Sequence, residues 1–270
     1  MTTTVTGTAT GFTAIMATAE LRRAVQQVAF AAATEAGRPG LTGVQLLKRG
    51  ETLTLTASDG YRLAQRTIAC KSAGGDAEIV LDARGLRAVA RDLHRIKGDV
   101  TCRPGPAGDY AFFGWPGRTE VKPVKLVDRK YPNVAELIPD AADARYVLTV
   151  DRAALLDAAI SLGLYKEPIR IVSTREGMTA QVYTHSSAVR HVSAVRHVGA
   201  LARTPRWQEA RTALDAQFLA EALGALQDSA TIAMHLATPT SPVLLRSEPG
   251  DAPGHVQVIM PVFMADWRCP

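Results

Sequence analysis

Hydrophobic and polar positions alternate most clearly between Leu41 and Ala64. Leu53 and Leu55 interleave with Thr52, Thr54 and Thr56, the period of a half-buried antiparallel strand. An earlier strand opens at Leu41-Thr42-Gly43-Val44, and Lys48-Arg49-Gly50-Glu51 turns the chain between the two. Ser58-Asp59-Gly60-Tyr61-Arg62-Leu63 follows. Asp59-Gly60 is a turn signal, yet an aromatic, an arginine and a leucine come directly after it. A recognition surface and a decorated tight turn both fit this stretch, and its residues alone leave the choice open.

The same patterning organises the rest of the first half. Residues 12–18 read as a strand, with Thr18 as cap of a helix over 19–33 whose apolar stripe is Leu21, Val25, Val28 and Ala32. Strands are expected at 66–70 and 78–81. Asp82 then caps a helix over 83–97 with Leu86, Val89, Ala90, Leu93 and Ile96 on its apolar side. Arg84, Arg87, Arg91 and Arg95 are spaced three, four and four apart and predict one exposed line of guanidinium groups. Such a line repels itself unless an anion lies against it; an ordinary polar helix face is the competing reading. Strands follow near 99–103, 110–115 and 118–126, then a proline-containing segment ends at Pro139. Residues 140–144 read as a linker.

The second half repeats the first. Tyr146-Val147-Leu148-Thr149-Val150-Asp151 and the residues after it echo Phe12 onward, and the segment from Thr212 echoes that from Ile79. Leu21 matches Leu155 at an offset of 134, and Leu86 matches Leu219 at 133. Two matches at nearly one offset indicate a duplicated domain. The helix expected over 216–226 carries no basic residue, so any anion would be held mainly by the first copy. Between the copies' landmarks lies a six-residue unit written twice, Ser187 to Val192 and Ser193 to Val198. Taken as an unbroken surface strand, it sets Arg190 and Arg196 on one face and His191 and His197 on the other.

Charge sharpens this picture. Residues 1–140 hold 19 Lys and Arg against 14 Asp and Glu, and the remainder holds 12 against 12. The net charge of +5 therefore lies in the first half, which favours an anionic partner, nucleic acid first. Three scattered cysteines give neither a disulfide framework nor metal-ligand spacing and fit a reducing cytoplasm. No apolar run is long enough to span a bilayer. Residues 1–10 read as a disordered lead. No phosphate-cradling glycine loop, nucleophile elbow or clustered His and acid set is present, so neither enzyme chemistry nor a cofactor or metal is expected.

The words Leu41-Thr42-Gly43-Val44, Ala57 to Ala64 (Ala-Ser-Asp-Gly-Tyr-Arg-Leu-Ala), Val80 to Arg87 and Tyr131 to Pro139 resemble the middle domain of the bacterial DNA polymerase III beta subunit, the sliding clamp. Tyr146 to Leu156, Thr240 to Arg246 and His255 to Val262 resemble the family's C-terminal domain. The resemblance runs from about residue 12 to 264. It implies an α+β fold of two duplicated DNA-clamp domains, over 11–140 and 146–264, each with two helices packed on antiparallel sheets. It also implies a ring around duplex DNA that tethers a polymerase. Arg22, Arg23, Arg38, Arg84, Arg87, Arg91 and Arg95 are then expected to face phosphates, contacts that carry no sequence information. A second surface takes short hydrophobic peptides from polymerase and clamp loader. By position its walls are Leu41, Ser58, Gly60, Tyr61, Arg62, Leu63 and Pro139, and Phe218, Thr240, Pro242, Val258, Ile259, Met260, Pro261 and Val262. Val258 to Val262 also reads as a simple buried strand.

The chain departs from the family in having two such domains, not three. Closing a six-domain ring then takes a homotrimer, with Tyr110, Phe112, Phe113 and Trp115 near one edge and Ile160, Leu162 and Leu164 near the other. The alternative is a clamp-derived regulatory module that binds peptides and forms no ring. Phe263 stands where the family has arginine and Asp215 where it has asparagine. A tail, 265–270, carries Trp267, which could fold over the peptide surface.

Overall fold

The Leu41–Ala64 alternation becomes a three-stranded meander in which Leu53 pairs with Lys48 on one side and Ile68 on the other. The computed structural model describes residues 12–35, 37–117, 121–174, 177–186, 189–198, 200–202, 210–248 and 254–264. The lead and the tail with Trp267 lie outside them. The chain divides between Asn133 and Val134 into two compact units.

The first unit runs β1 (Thr13–Ala17), α1 (Thr18–Val28), β2 (Gly43–Arg49), β3 (Thr52–Ser58), β4 (Arg62–Ala69), β5 (Lys71–Ala73) and β6 (Ala77–Asp82). It closes with α2 (Ala83–Asp92), β7 (Asp99–Pro104), β8 (Tyr110–Gly114) and β9 (Lys122–Lys125). One antiparallel layer has the order β5-β1-β7-β8-β9. The other has the order β4-β3-β2-β6. α1 packs on α2. Leu21, Val25 and Val28 of α1 and Leu86 and Val89 of α2 join Met16, Leu46, Leu55 and Phe113 in one buried cluster. Burying each such side chain contributes about 1.5–3 kcal/mol.

The second unit repeats this order: β10 (Tyr146–Asp151), α3 (Arg152–Gly163), β11 (Ile169–Thr174), β12 (Gly177–Ser186), β13 (Val189–Val198), β14 (Ala200–Ala202) and β15 (Ala210–Leu214). It ends with α4 (Ala216–Ala225), β16 (Thr231–Leu236), β17 (Val243–Glu248) and β18 (His255–Ile259). Its layers are β14-β10-β16-β17-β18 and β13-β12-β11-β15. Element for element, these are the pairings of the first unit. The matched positions agree as well: Leu21 and Leu155 are both fully buried, as are Leu86 and Leu219.

The helix starts depend on particular side chains. Asp82 accepts a hydrogen bond from the Gly85 N–H at 2.7 Å, and Asp215 accepts one from Phe218 at 2.9 Å. Both satisfy a donor with no partner inside the helix. Asp151 does the same for α3 through Ala154. α1 lacks such a cap. Its flanking residue is Ala17, and Thr18, expected as the cap, is the first helical residue. The Thr18 hydroxyl instead donates to the carbonyls of Ile96 and Gly98 at 3.0 and 2.8 Å, tying the helix to the loop after α2.

Three further expectations change. α1 ends at Val28 and passes into a 3-10 turn over Ala29–Ala31. α2 ends at Asp92, five residues early. Arg95 adopts a left-handed φ of 70°, a conformation that cannot continue a right-handed helix. In β13 the even alternation of the tandem unit is broken. A register shift opposite Val182 and Tyr183 leaves Ser193 unpaired, so Arg190 pairs with His185 and Arg196 with Ala180. Those partners have opposite parity, because a bulge adds one residue to one strand. The side chains of this unit lie outside the described residues.

Candidate functional site

The turn after β3 is built by its own side chains. Asp59 accepts from the N–H groups of Tyr61 and Arg62 at 2.9 and 3.0 Å through one carboxylate oxygen. Its other oxygen takes the Arg62 Nε at 3.0 Å. Ser58 donates to the Arg62 carbonyl and accepts from the Gly60 N–H. Gly60 has φ +92°, which favours a residue without Cβ. A Cβ there would also run into the Arg38 guanidinium. Arg62 is fixed from behind as well: it donates to the Phe30 carbonyl at 3.1 Å and lies over the Phe30 ring. The result is a rigid platform with Ser58 and Leu63 buried and Tyr61 56% exposed.

Arg38 belongs to this platform. It donates to the Asp59 carbonyl at 2.6 Å and stacks over the Tyr61 ring at 5.1 Å. The expectation that it joins the helix arginines is therefore not matched by its contacts. Leu41, half-buried, lies at the end of the 3-10 turn Pro39–Leu41 that carries Arg38 to this position. Buried Tyr131 sits beside Ser58 and Asp59, and burial pushes its phenol pKa up. Phe30, Asp59 and Tyr131 were not singled out from the sequence as site residues. The i, i+3 spacing of Asp59 and Arg62 was the one local signal.

In the second unit, Val258 and Ile259 are core residues at 4% and 0% exposure, as the buried-strand reading requires. The chain surfaces directly afterwards. Met260 and Phe263 are exposed, and Pro261 and Val262 are half-buried. The Val262 N–H donates to the Ala213 carbonyl at 2.8 Å, holding this run along β15. Phe218 and Pro242 are half-buried, and Thr240 is exposed. Pro139 also falls in this unit, beyond the boundary after Asn133. This unit thus presents a short apolar surface of Met260 to Phe263.

The arginines of the first unit's helices lie outward. Arg23, Arg84, Arg87, Arg91 and Arg95 are exposed and Arg22 is half-buried. Arg23 faces Glu20 at 4.0 Å, a weak surface pair. Arg84, Arg87 and Arg91 ride on α2, whereas Arg95 lies past its end. The proposed edge residues separate by strand and helix face. Phe113, Trp115 and Leu162 are 0%, 9% and 1% exposed and belong to the cores. Alternation along β8 turns Ala111 and Phe113 inward, leaving Tyr110 and Phe112 on the other side. Ile160 and Leu164, at 59% and 81%, remain on the surface.

Among the described residues, no group of three or more His, Cys, Asp and Glu could hold a metal ion. Burial pushes the Cys102 thiol pKa to about 12, far from a reactive thiolate. Among the described residues, no helix is long and apolar enough to cross a membrane.

Residues 15–133 match the family model described as DNA polymerase III beta subunit, central domain. The chain is 33% identical over 175 residues to the beta sliding clamp of Micrococcus luteus, covering 63% of this chain and 55% of that protein. It is 27% identical over 254 residues to the beta sliding clamp of Streptomyces coelicolor, covering 90% of this chain and 64% of that one. It therefore spans less than two thirds of either relative. A solved structure of the Pseudomonas aeruginosa sliding clamp bound to griselimycin superposes with a TM-score of 0.79 at 20% identity, covering 98% of this chain and 68% of that chain. That likeness establishes an α+β clamp fold.

Proposed function

We propose that the chain belongs to the DNA polymerase III beta subunit family and works as a sliding clamp, on the match to the family's central domain and the likeness to two beta sliding clamps. In this reading it is a non-catalytic ring that encircles duplex DNA and tethers a polymerase. The observation that carries the proposal is the eleven-element unit present twice, whose first copy is matched nearly end to end by the family's central domain. A ring of six built from this pair of units alone takes three copies. The joints are then head to tail, and closure comes from the rotation between copies. We assign Tyr110 and Phe112 to one joining surface and Ile160 and Leu164 to the other, since these are the outward members of each set.

Partner peptides are assigned to the platform of Ser58 to Leu63 with Leu41 and Arg38, and to the apolar surface of Met260 to Val262 with Phe218. A rigid aromatic and a fixed arginine supply shape and orientation, while Met260 adapts to different apolar side chains. The relative solved with griselimycin supplies a probe. Griselimycin should bind this chain and lose affinity at least tenfold in Tyr61→Ala.

Retention on DNA tests the whole reading. Bound to closed circular plasmid, the protein should stay attached in gel filtration at salt concentrations that screen phosphate contacts. Cutting the plasmid once should release it. Equal loss from circular and linear DNA would leave a peptide-binding module and no ring.

A further inference from the structure

Arg129 and Lys130 stand beside the platform that carries Tyr61. Both are exposed. The chain that bears them is held against the platform at two points. Tyr131, the next residue, is buried beside Ser58 and Asp59. Gly40, in the 3-10 turn that follows Arg38, packs on the same segment: a Cβ added to it would lie 3.5 Å from the Lys130 carbonyl and 3.9 Å from the Arg129 Cβ. The two cations are thus fixed in position relative to the exposed aromatic.

Arg38 is a third cation at this edge. It is exposed and donates through Nη1 to the Asp59 carbonyl, which leaves other donors of its five for a ligand. The local acids do not cancel these charges. The Asp59 carboxylate is committed to Arg62 and to two backbone N–H groups. Glu35 is exposed and Asp128 half-buried, yet among the described residues no ion pair joins either of them to Arg38, Arg129 or Lys130.

Position decides what anion these cations meet. The arginines of α1 and α2 ride on helices, whereas Arg129 and Lys130 lie on the segment after β9 and border Tyr61, which is 56% exposed. An exposed aromatic takes an apolar side chain, and unpaired cations at its rim favour a carboxylate carried by the same ligand.

We propose that Arg129 and Lys130, together with Arg38, read an acidic stretch that flanks the apolar anchor of a partner peptide. This rests on the peptide-binding reading of the platform and adds the chemistry of its partners: an apolar segment continued by Asp or Glu. Charges at a rim act mainly on the rate of encounter and the choice of partner. A peptide with the same anchor and a basic flank is then turned away.

The test is selection of phage-displayed random dodecapeptides on the immobilised full-length chain, with elution by griselimycin. Eluted peptides should carry Asp and Glu beside their apolar residues several-fold above the starting library. Arg129→Gln/Lys130→Gln alters two exposed side chains and should leave the melting midpoint in place. Selection on this variant should return the apolar residues without the acidic excess. One eluted peptide, synthesised, should bind the variant about tenfold more weakly than the wild type at low salt. At high salt, where exposed charges are screened, the two should agree within about twofold. Wild-type peptides with no acidic excess overturn the proposal and leave the peptide site standing. An acidic excess that survives the double substitution overturns it as well, and a loss of duplex DNA binding in that same variant would assign the two cations to phosphates. If griselimycin elutes no peptide from the wild type, this proposal falls together with the peptide-binding reading.

Discussion

Arg95 sets a strained backbone against the phosphate contact proposed for its side chain. Left-handed backbone costs a residue with a Cβ roughly 1–2 kcal/mol, and glycine avoids that cost. Glycine also frees the unfolded chain by about 0.4–1 kcal/mol. Arg95→Gly should therefore gain up to about 1.6 kcal/mol, read as a higher melting midpoint, while the salt slope of DNA binding falls by about 0.9. A lower midpoint would show that the φ of 70° is not strained in this setting. Nothing in the sequence announced this conformation, because Arg84, Arg87, Arg91 and Arg95 continue a helical spacing without a break. The aromatic cluster from Tyr110 to Trp115 was legible as a cluster but not as two faces. Phe113 and Trp115 went inward with Ala111, and only the strand pairing decides which parity faces the core. Arg62 was legible as important, while its partner Phe30 lies 32 residues earlier and has no local signal at all.

The three aspartate caps and the one missing cap make the helices a matched series. α2, α3 and α4 each start behind a side chain that accepts an N–H. Removing one, as in Asp82→Ala or Asp215→Ala, should cost about 1 kcal/mol. α1 starts behind Ala17 with φ −58° and ψ 130°, close to the angles of Asp82 at −51° and 122°. The backbone is thus ready for a cap. Aspartate is the wrong choice, because Asp99 pairs directly opposite Ala17 and like charges across a ladder repel. Ala17→Ser avoids the charge and places a hydroxyl three residues before Glu20, the spacing of a capping box. It should raise stability by about 0.5–1 kcal/mol in denaturant melts; no gain would mean that Glu20 stays with Arg23 and Arg66. This comparison was half visible in sequence. Asp82 was read correctly as a cap, but Thr18 was misread because its hydroxyl serves a loop 80 residues away.

The pH response also belongs to an element, β16. His235 has its pKa lowered, first by burial, then by Arg246, with Glu248 and the Ala141 backbone acting in the opposite direction. The folded state therefore binds this proton more weakly than the unfolded chain. Below the ordinary value of 6.5 the unfolded state takes up more protons, so stability falls as pH drops through that range and is retained above it. His235→Gln should flatten the decline between about pH 6.5 and 5 in melts of the full chain. An unaltered pH profile would assign the decline to other groups.

At the scale of the whole molecule, the duplication was legible because it repeats in sequence at one offset, and the two units accordingly share one strand order. Which residues could form the proposed joint between copies was not legible, since hydrophobic residues near an edge include both core and surface members. Leu162 and Leu164 make the distinction testable. They are two residues apart at the end of α3, with exposures of 1% and 81%. Leu162→Glu buries a charge in the core and should unfold the second unit, which loses several kcal/mol. Leu164→Glu leaves the fold intact, because the side chain already faces water, and acts only on assembly. In sedimentation at micromolar concentration the wild type should run at about three times the 28.8 kDa of one chain, and Leu164→Glu at the mass of one. A wild-type monomer ends the trimer, and an assembled Leu164→Glu moves the joint away from α3. The two variants together separate a residue that holds a unit together from one assigned to the proposed joint.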